Sequence, residues 1–395
     1  MIDLSKFMQP IYTNLEGRFL SNTSITLYRD RLAVAFRSID YCLWTESDLK
    51  LCLLNGREVL SKIHVGLVEP EKLPVVETHE LEQDSPYAYT INNTSYKGRE
   101  DMVLVTWNDK LYGYSSRPDL EEGKIVMELI EFDNDLNIGR SWTIRTDATC
   151  EKNWMAIEDK PFTWIYWNSP LQILTFDPDQ DLATIEQISD TDELGGYKGS
   201  TNILKIKAGY LGIVHYGTFP QYNHAFVVYD SDLNVIKTVP FKFTNHKISF
   251  VKGFTRQDDT FYLTVTVDDT APMLIKLSKY DLDKILQGLQ PDSYVSTEWS
   301  LSKFLYNRQY ELAFSYAKLY DRRDIQAIIQ IIKNILRLTS DFSLEMLEYL
   351  LSHLPESADK YYLMSKGYPE RAAEFLSKAS YLGPVSGLVR YVEHN

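Results

Sequence analysis

The stretch EDMVLVTWNDKLYGYSS (Glu100–Ser116) holds two alternating apolar runs hinged on Asn108-Asp109, the pattern of an antiparallel hairpin with a tight two-residue turn. Four other stretches repeat it: SITLYRDRLAVAFRSI (Ser24–Ile39), EKNWMAIEDKPFTWIYWN (Glu151–Asn168), TNILKIKAGYLGIVHYG (Thr201–Gly217) and ISFVKGFTRQDDTFYLTVTV (Ile248–Val267). Their central turns fall at Asp30, Asp109, Asp159, Gly209 and Asp259, and the last four are spaced by about 50 residues, a propeller-blade period. Each copy is followed by a polar turn that starts another strand: SDLK (Ser47–Lys50), DNDLNI (Asp133–Ile138), DPDQDL (Asp177–Leu182), DSDLNV (Asp230–Val235) and KYDLDK (Lys279–Lys284). A unit of this length cannot bury its own apolar face, so the copies must pack radially. The expected fold is mainly β, a five-bladed propeller over residues 1–290.

The longer first interval, Leu54 to Lys97, reads as a functional loop on that propeller. Beyond Pro291 the apolar period changes from two to the helical one: Ile325, Ile328, Ile329, Ile332 and Ile335, then Leu344, Leu347, Leu350 and Leu351. An α-helical domain is expected over residues 296–395, with roughly five or six short helices. Ser357 reads as a helix start, Pro369 as a first-turn residue, and Gly367 and Gly383 as helix ends. The apolar stripe of these helices is core, with docking of a protein partner as its functional reading.

The chain has 395 residues, of which 44% are hydrophobic and 13% aromatic, ample for a packed core. A net charge of −14 opposes sequence-independent binding to nucleic acid or anionic membranes. Cys42, Cys52 and Cys150 are odd in number and in no metal-ligand spacing, which suits a reduced compartment and gives no metal site. MIDLSKFMQP is too interrupted for a signal peptide, and no run approaches the roughly 18 apolar residues of a spanning helix, so a cytoplasmic location is expected. The Asn-x-Ser/Thr triplets at Asn22, Asn92 and Asn93 are then chance matches.

A propeller gathers the starts of its repeats around a central funnel, and here those starts are polar. They supply Arg37 and Asp40, Glu100 and Asp101, Glu151 to Asn153, Ser200 to Asn202, and Asp268 with Asp269. Trp154, Tyr166, Trp167 and Tyr222 lie near them in sequence as stacking faces. Ionised groups and aromatic rings around one pocket suit a sugar, which offers many hydroxyls and an apolar ring face. No organic cofactor is expected.

The order Asn22-x-Ser24-Ile25, Phe36-Arg37, Gly98-x-Glu100-Asp101, Glu151-Lys152-Asn153-Trp154, Gly199-Ser200, His215, His224 and Val267-Asp268-Asp269 resembles the five-bladed β-mannoside phosphorylases and hydrolases of glycoside hydrolase family 130, and related propeller modules beside glycosyltransferase segments. The resemblance spans about Ser21 to Ile285 and does not reach the helical tail. It implies that Asp101 is the general acid, which must keep its proton near neutral pH with Glu100 raising its pKa. It further implies that Glu100 meets substrate hydroxyls and that Arg37 and Lys152, joined by His215 and His224, hold the attacking phosphate. Asp40, Asn153, Tyr166 and Asp268 complete the expected substrate contacts. The sequence departs from the family pattern in two places: Met102-Val103 follows Glu-Asp where the family carries Pro-Arg, and Ser249 stands where relatives carry Glu. The first removes a basic side chain near the phosphate, and Arg99 or Lys198 is a possible replacement. The expected activity is inverting transfer of a mannosyl-type unit between a sugar phosphate or nucleotide sugar and an acceptor. Phosphorolysis or hydrolysis on the same fold is the near alternative, and a non-catalytic glycan- or protein-binding module the different one.

Overall fold

The structure, a computed structural model, describes residues 1–13, 15, 19–39, 41–42, 52–53, 58–81, 88–91, 94–119, 123–189, 194–217, 222–243, 249–267, 271–291, 351 and 356–382. The chain divides into two compact units, Met1–Ile11 with Gly17–Ser296, and Tyr12–Glu16 with Thr297–Asn395.

The first unit is a five-bladed β-propeller. Blade 1 runs outward through Phe19–Tyr28, Arg31–Ile39 and Glu58–Val68; blade 2 through Glu100–Trp107, Lys110–Asp119, Lys124–Phe132 and Ile138–Ile144. Blade 3 comprises Met155–Ala156, Thr163–Asn168, Leu171–Asp177 and Leu182–Ser189. Blade 4 has a broken inner edge, Lys198–Gly199 and Leu204–Ile206, before Gly209–Tyr216, Asn223–Tyr229 and Val235–Lys242. Blade 5 comprises Ser249–Gln257, Thr260–Val267 and Ala271–Ser278. The N-terminal segment completes two outer edges: Ile2–Asp3 lies parallel to Val235–Lys242, and Met8–Pro10 antiparallel to Ala271–Ser278.

Turn chemistry explains the hairpins. In blades 1 and 2 both turn residues have positive φ, 48° and 63° at Arg29-Asp30 and 50° and 59° at Asn108-Asp109, the backbone that matches strand twist. The Asp-x-Asp-Leu-Asn turns are built alike. Asp133 Oδ1 accepts from the backbone N–H of Asp135 and Asn137, and Asp230 Oδ1 from those of Asp232 and Asn234. Leu136 and Leu233 are thereby turned inward and buried.

Two sequence expectations change here. The Leu54–Lys97 interval is not one loop: Glu58–Val68 is the third strand of blade 1, and Ala88–Ile91 with Thr94–Lys97 extends that sheet. KYDLDK is not a turn but opens the helix Lys279–Leu286, whose N-terminus Ser278 caps by accepting from the Asp281 N–H.

Ring closure is made by side chains bonding across blades. Thr264 Oγ1 donates to Thr23 O at 2.6 Å and Leu27 N donates to Thr255 Oγ1 at 3.0 Å, joining blade 5 to blade 1. Leu104 N donates to Ser24 Oγ, Trp107 Nε1 to Ile157 O, and Asn202 Nδ2 to Leu104 O, tying blades 1 to 4. Val251 N donates to His224 Nε2 between blades 4 and 5. Gly253 lies at the seam of blades 5 and 1, where an added Cβ would run into Thr264 Oγ1 and lie 2.5 Å from Ile25 N. Gly253→Ala should therefore destabilise the propeller by about 2 kcal/mol, read from its denaturant midpoint.

In the second unit, Ala358–Gly367 is N-capped by Ser357, Pro369 opens the short 3₁₀ turn Pro369–Arg371, and Ala372–Leu382 follows. Phe375 and Ala379 pack against Ala358 and Tyr361. Ser357 and Pro369 thus stand where the sequence places them, while Gly383 and the Ile and Leu stripe over 325–350 lie outside the described residues. Among the described residues no helix is long and apolar enough to cross a membrane.

Candidate functional site at the propeller hub

The inner strands do not run regularly into the hub. Pairing in blade 1 slips between Ser21 and Ser24, in blade 2 between Glu100 and Val103, and in blade 5 between Val251 and Gly253. Each slip is a bulge, which re-aims one residue out of the ladder. The residues so freed are Asn22 (φ 44°), Asp101 (φ 56°) and Lys252. Asn and Asp tolerate the left-handed backbone that these bulges require.

Asp101 is the centre of the arrangement. Its Oδ1 accepts from Arg37 at 3.1 Å and from Asn22 Nδ2. The other terminal nitrogen of Arg37 lies 2.9 Å from Glu100 Oε1, and Arg37 Nε donates to Ser61 Oγ at 2.7 Å. Ser61 in turn donates to Arg99 O at 2.7 Å, so the guanidinium is held from blade 1 and blade 2 together. Burial raises the Asp101 pKa, but Arg37, Lys252, the Asn22 bond and Lys152 together outweigh it and leave the carboxyl below its ordinary value. Asp101 is therefore a carboxylate at neutral pH, the reverse of the raised pKa expected from Glu100 beside it. The reason is that Glu100 is paired to the same arginine, and three cations face Asp101.

Lys252 is the residue that sequence reading missed. It is 2% exposed, and its ammonium makes no hydrogen bond or ion pair with the described residues, lying 5.7 Å from the Phe250 ring centroid. Burial holds its pKa below the usual lysine value, with the attraction of Asp101 opposing that shift. A buried cation that makes no hydrogen bond or ion pair among the described residues costs stability despite the longer-range attraction of Asp101, so Lys252→Met should raise the unfolding free energy by about 1 kcal/mol, measured by chemical denaturation at neutral pH.

Lys152 is exposed and near enough to act electrostatically on Asp101 and Lys252. With Asn153 (φ 64°), Tyr166, Trp167, Tyr197 and Lys198 it lines a cavity of about 270 Å³ where blades 3 and 4 meet. Tyr166 OH donates to Glu151 Oε1 at 2.9 Å, and burial pushes its pKa up to about 12. Glu151 also accepts from Trp154 Nε1 at 3.0 Å, so it anchors the wall. Trp154 is fully buried edge-on against Trp164 and is packing, not a platform for sugar.

The two histidines do not serve as cations. His224 is buried, and burial lowers its pKa to about 3; its Nε2 accepts from Val251 N. His215 shares a 2.8 Å hydrogen bond with Ser200 Oγ, and burial together with His224, Lys252, Lys198 and Lys152 holds it well below the usual imidazole value. Arg99 is likewise committed: it forms a two-pronged pair with Glu128 inside blade 2. Asp40 and Asp268 lie outside the described residues. Among the described residues no cluster of three or more His, Cys, Asp and Glu could hold a metal ion.

No protein-family model and no curated protein sequence matches this chain. Solved structures similar to it include the β-1,2-mannobiose phosphorylase of Listeria innocua, at 14% identity and a TM-score of 0.47, covering 72% of this chain and 97% of that one. A glycosyl hydrolase from Bacteroides ovatus is similar at 11% identity and a TM-score of 0.45, covering 70% and 91%. A mannose phosphorylase of Leishmania mexicana, in complex with a phosphate ion, is similar at 13% identity and a TM-score of 0.40, covering 68% and 87%.

Proposed function

We propose that the hub transfers a glycosyl unit, of mannosyl type, between an oxyanion and an acceptor hydroxyl, with inversion, so that the chain works as a sugar-phosphate-dependent glycosyl-transferring enzyme. The observation that carries this reading is the meeting of one carboxylate with three cations, Arg37, Lys252 and Lys152, contributed by blade 1, blade 5 and the entry to blade 3. Fixed positive charge and hydrogen-bond donors are what an attacking or leaving phosphate needs. A hydrolase instead needs a second carboxylate free to activate water, and Glu100 is bound to Arg37. Lys252 offers the positive charge that Met102-Val103 withholds.

In the phosphorolytic direction, phosphate oxygen attacks the anomeric carbon from the face opposite the bridging oxygen. The bond to that oxygen breaks, and Asp101, once it has taken up a proton, delivers it there. In the synthetic direction Asp101 takes the proton from the acceptor hydroxyl. The half-exposed Trp167 ring, with Tyr166 and Tyr197, supports sugar stacking in the adjoining cavity.

The ionised state of Asp101 favours a second reading, a binding module whose hub holds an anionic glycan without chemistry. One experiment separates the two. The purified chain is screened by thermal shift against sugar 1-phosphates, nucleotide sugars and free sugars, and each hit is then assayed for release of phosphate or nucleotide with an acceptor sugar. A ligand at 100 times its Kd stabilises by about 2.7 kcal/mol. A sugar-phosphate hit with turnover is the expected result. A nucleotide-sugar hit with turnover moves the donor class, and binding without any turnover selects the module.

A further inference from the structure

Arg37 can take an incoming anion only by giving something up. Its Nε is fixed on Ser61 and its two terminal nitrogens are placed on Asp101 and Glu100. Ser61 is buried and anchored on Arg99 O, so Nε stays, and among the described residues the carboxylates are what can be exchanged. Lys252, by contrast, has no hydrogen-bond or ion-pair partner to lose among the described residues and faces the same carboxylate. Charge points the same way. Among the described residues three cations, Arg37, Lys152 and Lys252, act on the Asp101 carboxylate, and Arg37 is shared with Glu100. A dianion that draws those cations to itself leaves the Asp101 carboxylate beside a second negative charge, which favours its taking a proton.

Resting on the function proposed above, we propose that oxyanion and proton enter the hub together: the anion takes Arg37 and Lys252 from Asp101, and a proton from solvent settles on the Asp101 carboxyl. The anion that attacks the sugar thereby creates the acid that the leaving oxygen requires. Asp101 is charged and idle before the anion arrives, and protonated only when there is a reaction to serve. The proton taken from solvent leaves on the departing sugar hydroxyl as the new carbon–oxygen bond to the anion forms, so charge and atoms balance over a turnover. Among the described residues the groups facing Asp101 are Asn22 and Arg37 from blade 1, Glu100 from its own strand, Lys252 from blade 5 and Lys152 from the entry to blade 3. His215 of blade 4 stands close enough to Lys252 and Lys152 to compete for the proton.

The test uses sulfate, which does not titrate near neutral pH, with inorganic phosphate as a second probe. Binding to the full chain is measured by titration calorimetry at pH 6 in two buffers of different ionisation enthalpy. The expected result is uptake of roughly half a proton or more per sulfate, with Kd tightening up to about tenfold for each unit the pH is lowered. Asp101→Asn should still bind sulfate but without uptake or pH slope. Unfolding of the variant is followed in parallel to confirm the fold. Uptake that persists in Asp101→Asn places the proton on Glu100 or His215 and overturns the exchange. Sulfate binding without proton uptake overturns it as well, yet leaves the sugar-phosphate reading standing. Failure of both sulfate and phosphate to bind the wild-type chain removes the oxyanion site, and both proposals fall with it.

Discussion

Asp101→Asn is expected to lower the kcat of the proposed glycosyl transfer by about 10²–10⁴-fold, the usual contribution of a positioned acid or base. The substitution is conservative in every respect but one. Asn accepts the positive φ that the bulge imposes on Asp101, where alanine would be strained. Its amide oxygen can still accept from Asn22 and Arg37. What it cannot do is carry a proton to the bridging oxygen. The loss should therefore fall on kcat, while the KM for phosphate stays level or drops, because a negative charge beside the anion is gone. Unchanged turnover would remove Asp101 from the chemistry, even with a carbohydrate bound at the hub.

The five blades are legible because strand alternation and polar turns recur in step, and each turn has a local cause. Asn108-Asp109 supports two consecutive positive φ angles, and Asp133 and Asp230 fold their own backbones. Three strands escape such reading. Glu58–Val68 lies in an interval whose spacing departs from the repeat, so its period of two was hidden by the polar stretch that follows. The N-terminal strands are too short to show a period and gain their place from the exposed edges of blades 4 and 5.

The site divides along a similar line. Arg37, Glu100 and Asp101 carry a motif and do come together. Lys252 carries none, and a bulge is a failure of the alternation by which a strand is recognised, so which way it points cannot be counted from its neighbours. Asn22 enters the sequence reading as a glycosylation triplet and as the opening of the motif order, with no role of its own, yet its bulge turns it onto Asp101. The histidines mislead for a different reason. Residue type suggests a cation, whereas burial, joined at His215 by the neighbouring His224, Lys252, Lys198 and Lys152, holds both rings below the usual imidazole value, which depends on three blades meeting.

Arg37→Met is expected to destabilise the propeller by about 3 kcal/mol at pH 7, because it leaves two carboxylates without their shared buried partner. Arg37 is nearly buried, and its three nitrogens link Ser61, Asp101 and Glu100. The pH dependence gives the effect a signature. The folded pKa of Asp101 lies below its ordinary value, so its stabilising contribution is complete above the unfolded pKa and is lost as pH falls through the folded one. The gap between wild type and Arg37→Met should be widest near neutral pH and close progressively below about pH 4, where the unfolded carboxyl takes its proton. A deficit that arose only from lost alkyl packing would be the same at both pH values. Arg37→Lys sharpens the contrast: an ammonium restores the charge but cannot reach all three partners, so it should recover part of the stability at pH 7 and little of the anion affinity. Denaturant melts of the three proteins across pH 3 to 7, paired with sulfate titration at pH 6, would show whether one guanidinium both braces the hub and receives the anion.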